Sequence, residues 1–167
     1  MTGTTLYPLN KLKETHPELY AEHAAKYKGR ESVMEKTIPG LGCLWNDVLH
    51  FTAVDPQDIK QALIEAGAEG LEDKKMFYYK IPATMLNPDK TTVYLYKPEF
   101  GRGSRMTEDN FAQYSPDGVQ KYSTIPEETK LYYRETISEG KSPLLFVNVP
   151  HILYLGEVEV GSCEVIE

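Results

Sequence analysis

Two stretches of the chain place apolar residues at helical spacing, and a third carries helix start and stop signals. Leu19, Tyr20, His23, Ala24 and Tyr27 recur at three- and four-residue intervals, as do Ile59, Ala62, Leu63 and Ala66, so each set lies on one helix face. The first stretch opens with Thr15-His16-Pro17-Glu18, which reads as a capping box with proline in the first turn, and Gly29 closes it. Asp55-Pro56 opens the second and Gly67 ends it. Thr124-Ile125-Pro126-Glu127 is a second capping box ahead of a third stretch, closed by Gly140. Spacing and end signals together predict helices over Pro17–Lys28, Pro56–Ala66 and Pro126–Glu139, with a short helical turn over Asn10–Glu14.

Between them the pattern is extended. Ser32–Ile38, Leu44–Val54, Met76–Ile81, Thr91–Lys97, Leu144–Val149 and Ile152–Val160 are rich in β-branched and aromatic residues, which favours strands. Cys163–Glu167 reads as either a short edge strand or a frayed end. Strands arrive in adjacent pairs rather than in β-α-β alternation. The expected fold is therefore α+β: a single domain over residues 1–167, with a mixed or mostly antiparallel sheet and about three packed helices. Residues 1–30 form an N-terminal helical segment packed on it. Phe100–Asp117, with Gly101, Gly103, Ser104 and Pro116, reads as a long mobile loop.

The densest chemistry lies in Trp45-Asn46-Asp47-Val48-Leu49-His50-Phe51-Thr52. As a strand, this segment puts Asn46, Val48, His50 and Thr52 on one face and Trp45, Asp47, Leu49 and Phe51 on the other. Three hydrogen-bonding side chains in a row suit a cleft wall better than a core. Histidine adds acid–base capacity near neutrality. Tyr94 and Tyr96 share a strand face and offer an aromatic wall on which a ring can stack. Arg102 and Arg105, in the glycine-bearing loop beyond that strand, are candidate clamps for a phosphate or carboxylate. Packing and solvation explain many of these residues equally well, and His151, after Pro150, reads as a capping or packing residue.

His50-Phe51-Thr52, at a strand end before a helix, resembles the opening of the ADP-ribosyltransferase superfamily over Val48–Gly67. That resemblance implies a histidine contacting a ribose hydroxyl of NAD, with NAD as substrate and a catalytic glutamate on a late strand. Glu157 is the candidate for that glutamate, and Glu159 the alternative. The same tripeptide also resembles half of a two-histidine phosphoesterase, in which one imidazole is the base and the other the acid. Its second element would be His151-Ile152-Leu153, which lacks the hydroxyl residue.

Composition narrows the classes. Eighteen basic and 25 acidic residues leave a formal charge of −7, so there is no domain-wide basic footprint for nucleic acid. No apolar run approaches the roughly 20 residues that span a bilayer. Cys43 and Cys163 are the only cysteines, too few for a disulfide framework or a four-thiolate zinc site, and no metal is expected. With no signal-peptide pattern in Met1-Thr2-Gly3-Thr4-Thr5, the expected location is cytoplasmic. The expected function is a small nucleotide-handling enzyme with His50 and Glu157 catalytic and Asn46, Thr52, Tyr94, Tyr96, Arg102 and Arg105 binding the nucleotide. A non-catalytic nucleotide sponge or sensor, and an acidic module that inhibits a protein partner, are the alternatives.

Overall fold

A computed structural model describes residues 3–29, 31–95 and 106–167. The fold is α+β, and every strand pair among the described residues is antiparallel. In chain order the elements are β1 (Thr5–Leu6), α1 (Leu9–Thr15), α2 (Pro17–Ala24), β2 (Thr37–Ile38), β3 (Cys43–Leu44), β4 (Leu49–Phe51), α3 (Pro56–Glu65), β5 (Tyr78–Lys80), β6 (Thr91–Tyr94), β7 (Phe111–Gln113), α4 (Glu127–Ser138), β8 (His151–Tyr154), β9 (Val158–Glu159) and β10 (Glu164–Ile166). The central sheet runs β4-β8-β6-β7. Three two-stranded ribbons flank it: β1 with β9, β2 with β3, and β5 with β10.

The second and third expected helices follow their punctuation, whereas the first, expected over Pro17–Lys28, is α-helical only to Ala24 and finishes as a 3₁₀ turn over Ala25–Tyr27. Asp55 caps α3, its carboxylate accepting from the Gln57 N–H at 2.8 Å, with Pro56 at the first helical position. Gly67 ends α3 at φ +95°, and the Ala68 N–H donates to the Leu63 carbonyl at 3.0 Å. Ile59, Ala62 and Leu63 of α3 pack with Tyr133 of α4 and with Val54, Ile125 and Val149. Two expected caps differ. Thr15 is the last residue of α1, so its hydroxyl donates back to the Lys11 carbonyl at 3.0 Å and His16 takes the cap position of α2. Pro126 caps α4 without a side-chain bond, and Glu127 instead pairs with Lys130 at 2.7 Å.

The strands depart further from expectation. Leu44–Val54 is not one strand, because Trp45–Asp47 is a turn of 3₁₀ helix. The Asp47 carboxylate accepts from the Leu44 N–H and from Asn10 Nδ2 of α1, both at 2.7 Å. This local bond offers the backbone an alternative to a ladder, as aspartate often does. Of Ser32–Ile38 only Thr37–Ile38 is extended, after a 3₁₀ turn at Glu31–Val33. Leu144–Val149 is not a strand either: Asn148 takes a left-handed φ of 63°. Two of its carbonyls are bonded by side chains of α4. Thr129 Oγ1 donates to the Val147 carbonyl at 3.0 Å, and the Tyr133 hydroxyl donates to the Leu145 carbonyl. Ile152–Val160 is split at Gly156 into β8 and β9, which join different sheets. Cys163–Glu167 supplies the edge strand β10. Residues 96–105 lie outside the described residues. Within the rest of the loop expected over Phe100–Asp117, Glu108–Asn110 is a 3₁₀ turn and Phe111–Gln113 is β7, paired with β6.

One face of the central sheet covers a core that includes Val93, Ile152, Leu86, Tyr114, Val158 and Val160. The other face holds the smaller cluster Ile38, Val48 and Leu153, ringed by Trp45, Tyr94 and Phe111.

Candidate functional site

The register of the sheet sets the site on this second face. His50 of β4 pairs with Leu153 of β8, and Tyr94 of β6 pairs with His151. Side chains two apart on a strand share a face, so His50, His151, Leu153 and Tyr94 project from the same side. The rings of His50 and His151 lie 6.1 Å apart at 85° to each other. Trp45, delivered by the 3₁₀ turn, stands 4.6 Å from His50, 5.5 Å from Tyr94 and 6.4 Å from His151, centroid to centroid. Phe146 closes on His151 at 6.3 Å.

Each imidazole is anchored to a backbone carbonyl. His50 Nε2 lies 3.0 Å from the Trp45 carbonyl, and a ring nitrogen of His151 bonds the carbonyl of Phe146. A carbonyl only accepts, so the bonded nitrogen carries the proton. On the neutral His50 ring this leaves Nδ1 as the lone-pair nitrogen. Both side chains are held below the usual histidine range. Although the His50 residue keeps an exposed edge, desolvation of its crowded ring lowers its pKa, with the Trp45 carbonyl acting the other way. His151 is pushed down to about 4, by burial first and then by the charge His50 would carry. The first proton to enter the pair therefore resides on His50 and opposes a second on His151.

This has a consequence for stability. The unfolded chain binds the His151 proton at the ordinary histidine value of 6.5 and the folded chain at about 4. The unfolded state thus holds more protons in that window, so the contribution of the neutral ring is full above pH 6.5 and is lost as pH falls toward 4. The loss is about 3 kcal/mol by linkage. Urea unfolding across that range should show it, and His151→Ala should flatten the slope.

His50 and Thr52 open onto a cleft of about 1200 Å3 along the free edge of β4, bounded by the start of α3 and the β5–β10 ribbon. Continuing the β4–β8 register by one step sets Thr52 opposite His151. Its Oγ1 accepts from the Val54 N–H at 3.1 Å, shaping the turn into α3.

The other expected site residues are placed as follows. Asn46 does not share the His50 face, because the 3₁₀ turn breaks the alternation. It is 2% exposed, and its Nδ2 has no hydrogen-bond partner among the described residues. Tyr94 joins the histidine pair. Tyr96, Arg102 and Arg105 lie outside the described residues. Glu157 is exposed beyond the end of β8 and is not part of the ring cluster or the cleft lining. Glu159 holds β1 against β9, accepting from Thr4 Oγ1 at 3.0 Å and from Thr5 Oγ1. Sequence reasoning did not place Trp45 in the site, and it read His151 chiefly as a capping or packing residue. The signal for His151 was the second His-apolar element at His151-Ile152, whose value depends on antiparallel pairing with the first.

No protein-family model, curated protein or solved structure matches this chain. Among the described residues no group of three or more His, Cys, Asp or Glu side chains is arranged to hold a metal ion. No helix among them is long and apolar enough to cross a membrane.

Proposed function

We propose that the chain is a nucleotide-handling enzyme that cleaves a phosphoester by paired-imidazole acid–base chemistry. The observation that carries this reading is the juxtaposition of His50 and His151 on antiparallel neighbours, 6.1 Å apart and each tied to a backbone carbonyl. Imidazoles whose centres stand that far apart can serve the entering and leaving oxygens of one phosphoryl group. His151, the ring that resists protonation, takes a proton from the attacking water or hydroxyl. His50, which holds the pair's first proton, gives it to the leaving oxygen as the P–O bond breaks. Thr52, facing His151, contributes a hydroxyl to a phosphoryl oxygen. Leu153 faces His50 where the two-histidine resemblance would have a second hydroxyl, so the two halves of the site are unequal.

The active form has one proton on the pair. Both groups titrate below 6.5 and His151 at about 4, so kcat/KM for a phosphodiester is expected to peak in mild acid between these values. It falls above as His50 loses its proton and below as His151 gains one. A profile that rises steadily through pH 8 would reject the paired mechanism. The two free thiols, Cys43 and Cys163, support a reducing, cytoplasmic setting.

A second reading keeps the NAD-dependent transferase. It is favoured by the placement of His50-Phe51-Thr52 at a strand end directly before α3, on a cleft that exceeds the roughly 300–1,000 Å3 of a typical small-molecule pocket. That reading needs a late-strand glutamate at the substrate, and Glu157, its candidate, does not line the cleft. Under it Glu157→Gln would abolish NAD consumption, whereas under the phosphoester reading it leaves diester cleavage intact.

A further inference from the structure

The anchor of His50 originates far from the sheet. Trp45 supplies both the carbonyl that holds His50 Nε2 at 3.0 Å and the indole that stands 4.6 Å from the ring. It is the first residue of the 3₁₀ turn Trp45–Asp47. Its own N–H donates to the Lys36 carbonyl at 2.8 Å, which fixes the entry to the turn. Asp47 fixes the exit. Its two carboxylate oxygens are divided: Oδ2 accepts from the Leu44 N–H and Oδ1 from Asn10 Nδ2, both at 2.7 Å. Asn10 belongs to α1, 37 positions upstream, and α1 packs against this turn. Asn10 and Asp47 are both half-buried, where a hydrogen bond to a carboxylate is stronger than at an open surface.

We propose that Asn10 is a positioning residue for His50: through Asp47 it holds the Trp45 turn, and the turn holds the imidazole. For its effect on turnover this rests on the phosphoester reading. A ring free to turn about its Cβ–Cγ bond carries each nitrogen away from its place and sets a carbon there. Bonded to the Trp45 carbonyl, the His50 imidazolium keeps its Nε2–H, and only the Nδ1 proton is available to give. Nδ1 passes that proton to the leaving oxygen as the P–O bond breaks, and the ring returns to its neutral, Nε2-protonated form. The anchor thus selects the atom that acts and fixes its direction. His151 is oriented separately, by the Phe146 carbonyl, so loosening the Asn10 bond disturbs one imidazole of the pair and spares the anchor of the other.

The test exchanges the two side chains, on the full chain. Asn10→Asp sets two carboxylates against each other with no donor between them. The double variant Asn10→Asp, Asp47→Asn restores a donor–acceptor pair, with the amide now at position 47 and its oxygen still able to accept from the Leu44 N–H. The first readout is the His50 Nε2–H proton in NMR, whose exchange with water is slow while it is bonded to the Trp45 carbonyl. Asn10→Asp should speed that exchange about tenfold, the worth of one charge-assisted hydrogen bond. It should also lower kcat for bis(p-nitrophenyl) phosphate by up to about 10²-fold, the cost of misplacing a reacting group by about 1 Å. The double variant should restore both. If Asn10→Asp does not fold, Asn10→Ala removes the bond without adding charge and is read in the same way. Wild-type exchange and kcat in folded Asn10→Asp, or losses that the double variant fails to restore while melting like the wild type, overturn the role of Asn10. Exchange that responds and is restored, with the phosphodiester cleaved by no form or at one rate by all, leaves Asn10 as the positioning residue of His50 and removes the phosphoester reading instead.

Discussion

Replacing His151 with alanine is expected to lower kcat for a phosphodiester by about 10²–10⁴-fold, the usual worth of a positioned general base. The argument runs from the strand register. Tyr94 opposite His151 and Leu153 opposite His50 force both imidazoles onto one face, and the carbonyls of Trp45 and Phe146 orient them. His151→Ala also removes a group that resists protonation, so the variant should lose the acid-side limb of the pH profile and the stability slope between pH 6.5 and 4. If His151 only packed against Phe146 and Trp45, the melting temperature would fall while turnover per folded molecule stayed at the wild-type level.

The largest loss of stability is expected at Tyr133. Its side chain is fully buried between α3 and α4, at 0% exposure, and its hydroxyl donates to the Leu145 carbonyl. Burial raises its pKa to about 12, so the phenol stays protonated and remains a donor through the neutral range. Tyr133→Ala should cost about 3–5 kcal/mol, as for other large-to-small aromatic changes in cores. Tyr133→Phe should cost about 1–3 kcal/mol by leaving the Leu145 carbonyl without that donor. Chemical denaturation measures both. The effect should reach the site, because Leu145 and Phe146 belong to the same turn and Phe146 supplies the carbonyl that anchors His151. Tyr133→Phe is therefore expected to reduce kcat several-fold in protein that is still folded, and an unchanged kcat would uncouple the turn from the site.

The helices were legible because their signals are local. Asp55 and Pro56 at one end of α3 and Gly67 at the other act through bonds within a few residues, and Ile59, Ala62 and Leu63 became core as their spacing implied. The strands were less so, because their limits depend on partners distant in sequence. Nothing within Leu44–Val54 announces that Asn10 will bond Asp47 and help hold a 3₁₀ turn in what reads as a strand. Likewise Leu144–Val149 looks like a strand until Thr129 and Tyr133 of α4 claim two of its carbonyls. The same distinction governs the site. His50 and Thr52 were legible from residue type at strand spacing. Asn46 was misplaced by the unseen turn, and His151 gained its significance only from the register that sets it beside His50 and Tyr94.

The central claim is that His50 and His151 form one coupled acid–base pair, and the most direct measurement is an NMR titration of their imidazole Cε1–H resonances in the wild type and in His50→Ala. In the wild type both should titrate below 6.5, His50 first and His151 near 4. In His50→Ala the His151 midpoint should rise, because the repelling charge is gone. Two independent titrations near 6.5, with His151 unmoved by the loss of His50, would contradict the pair and every step built on it.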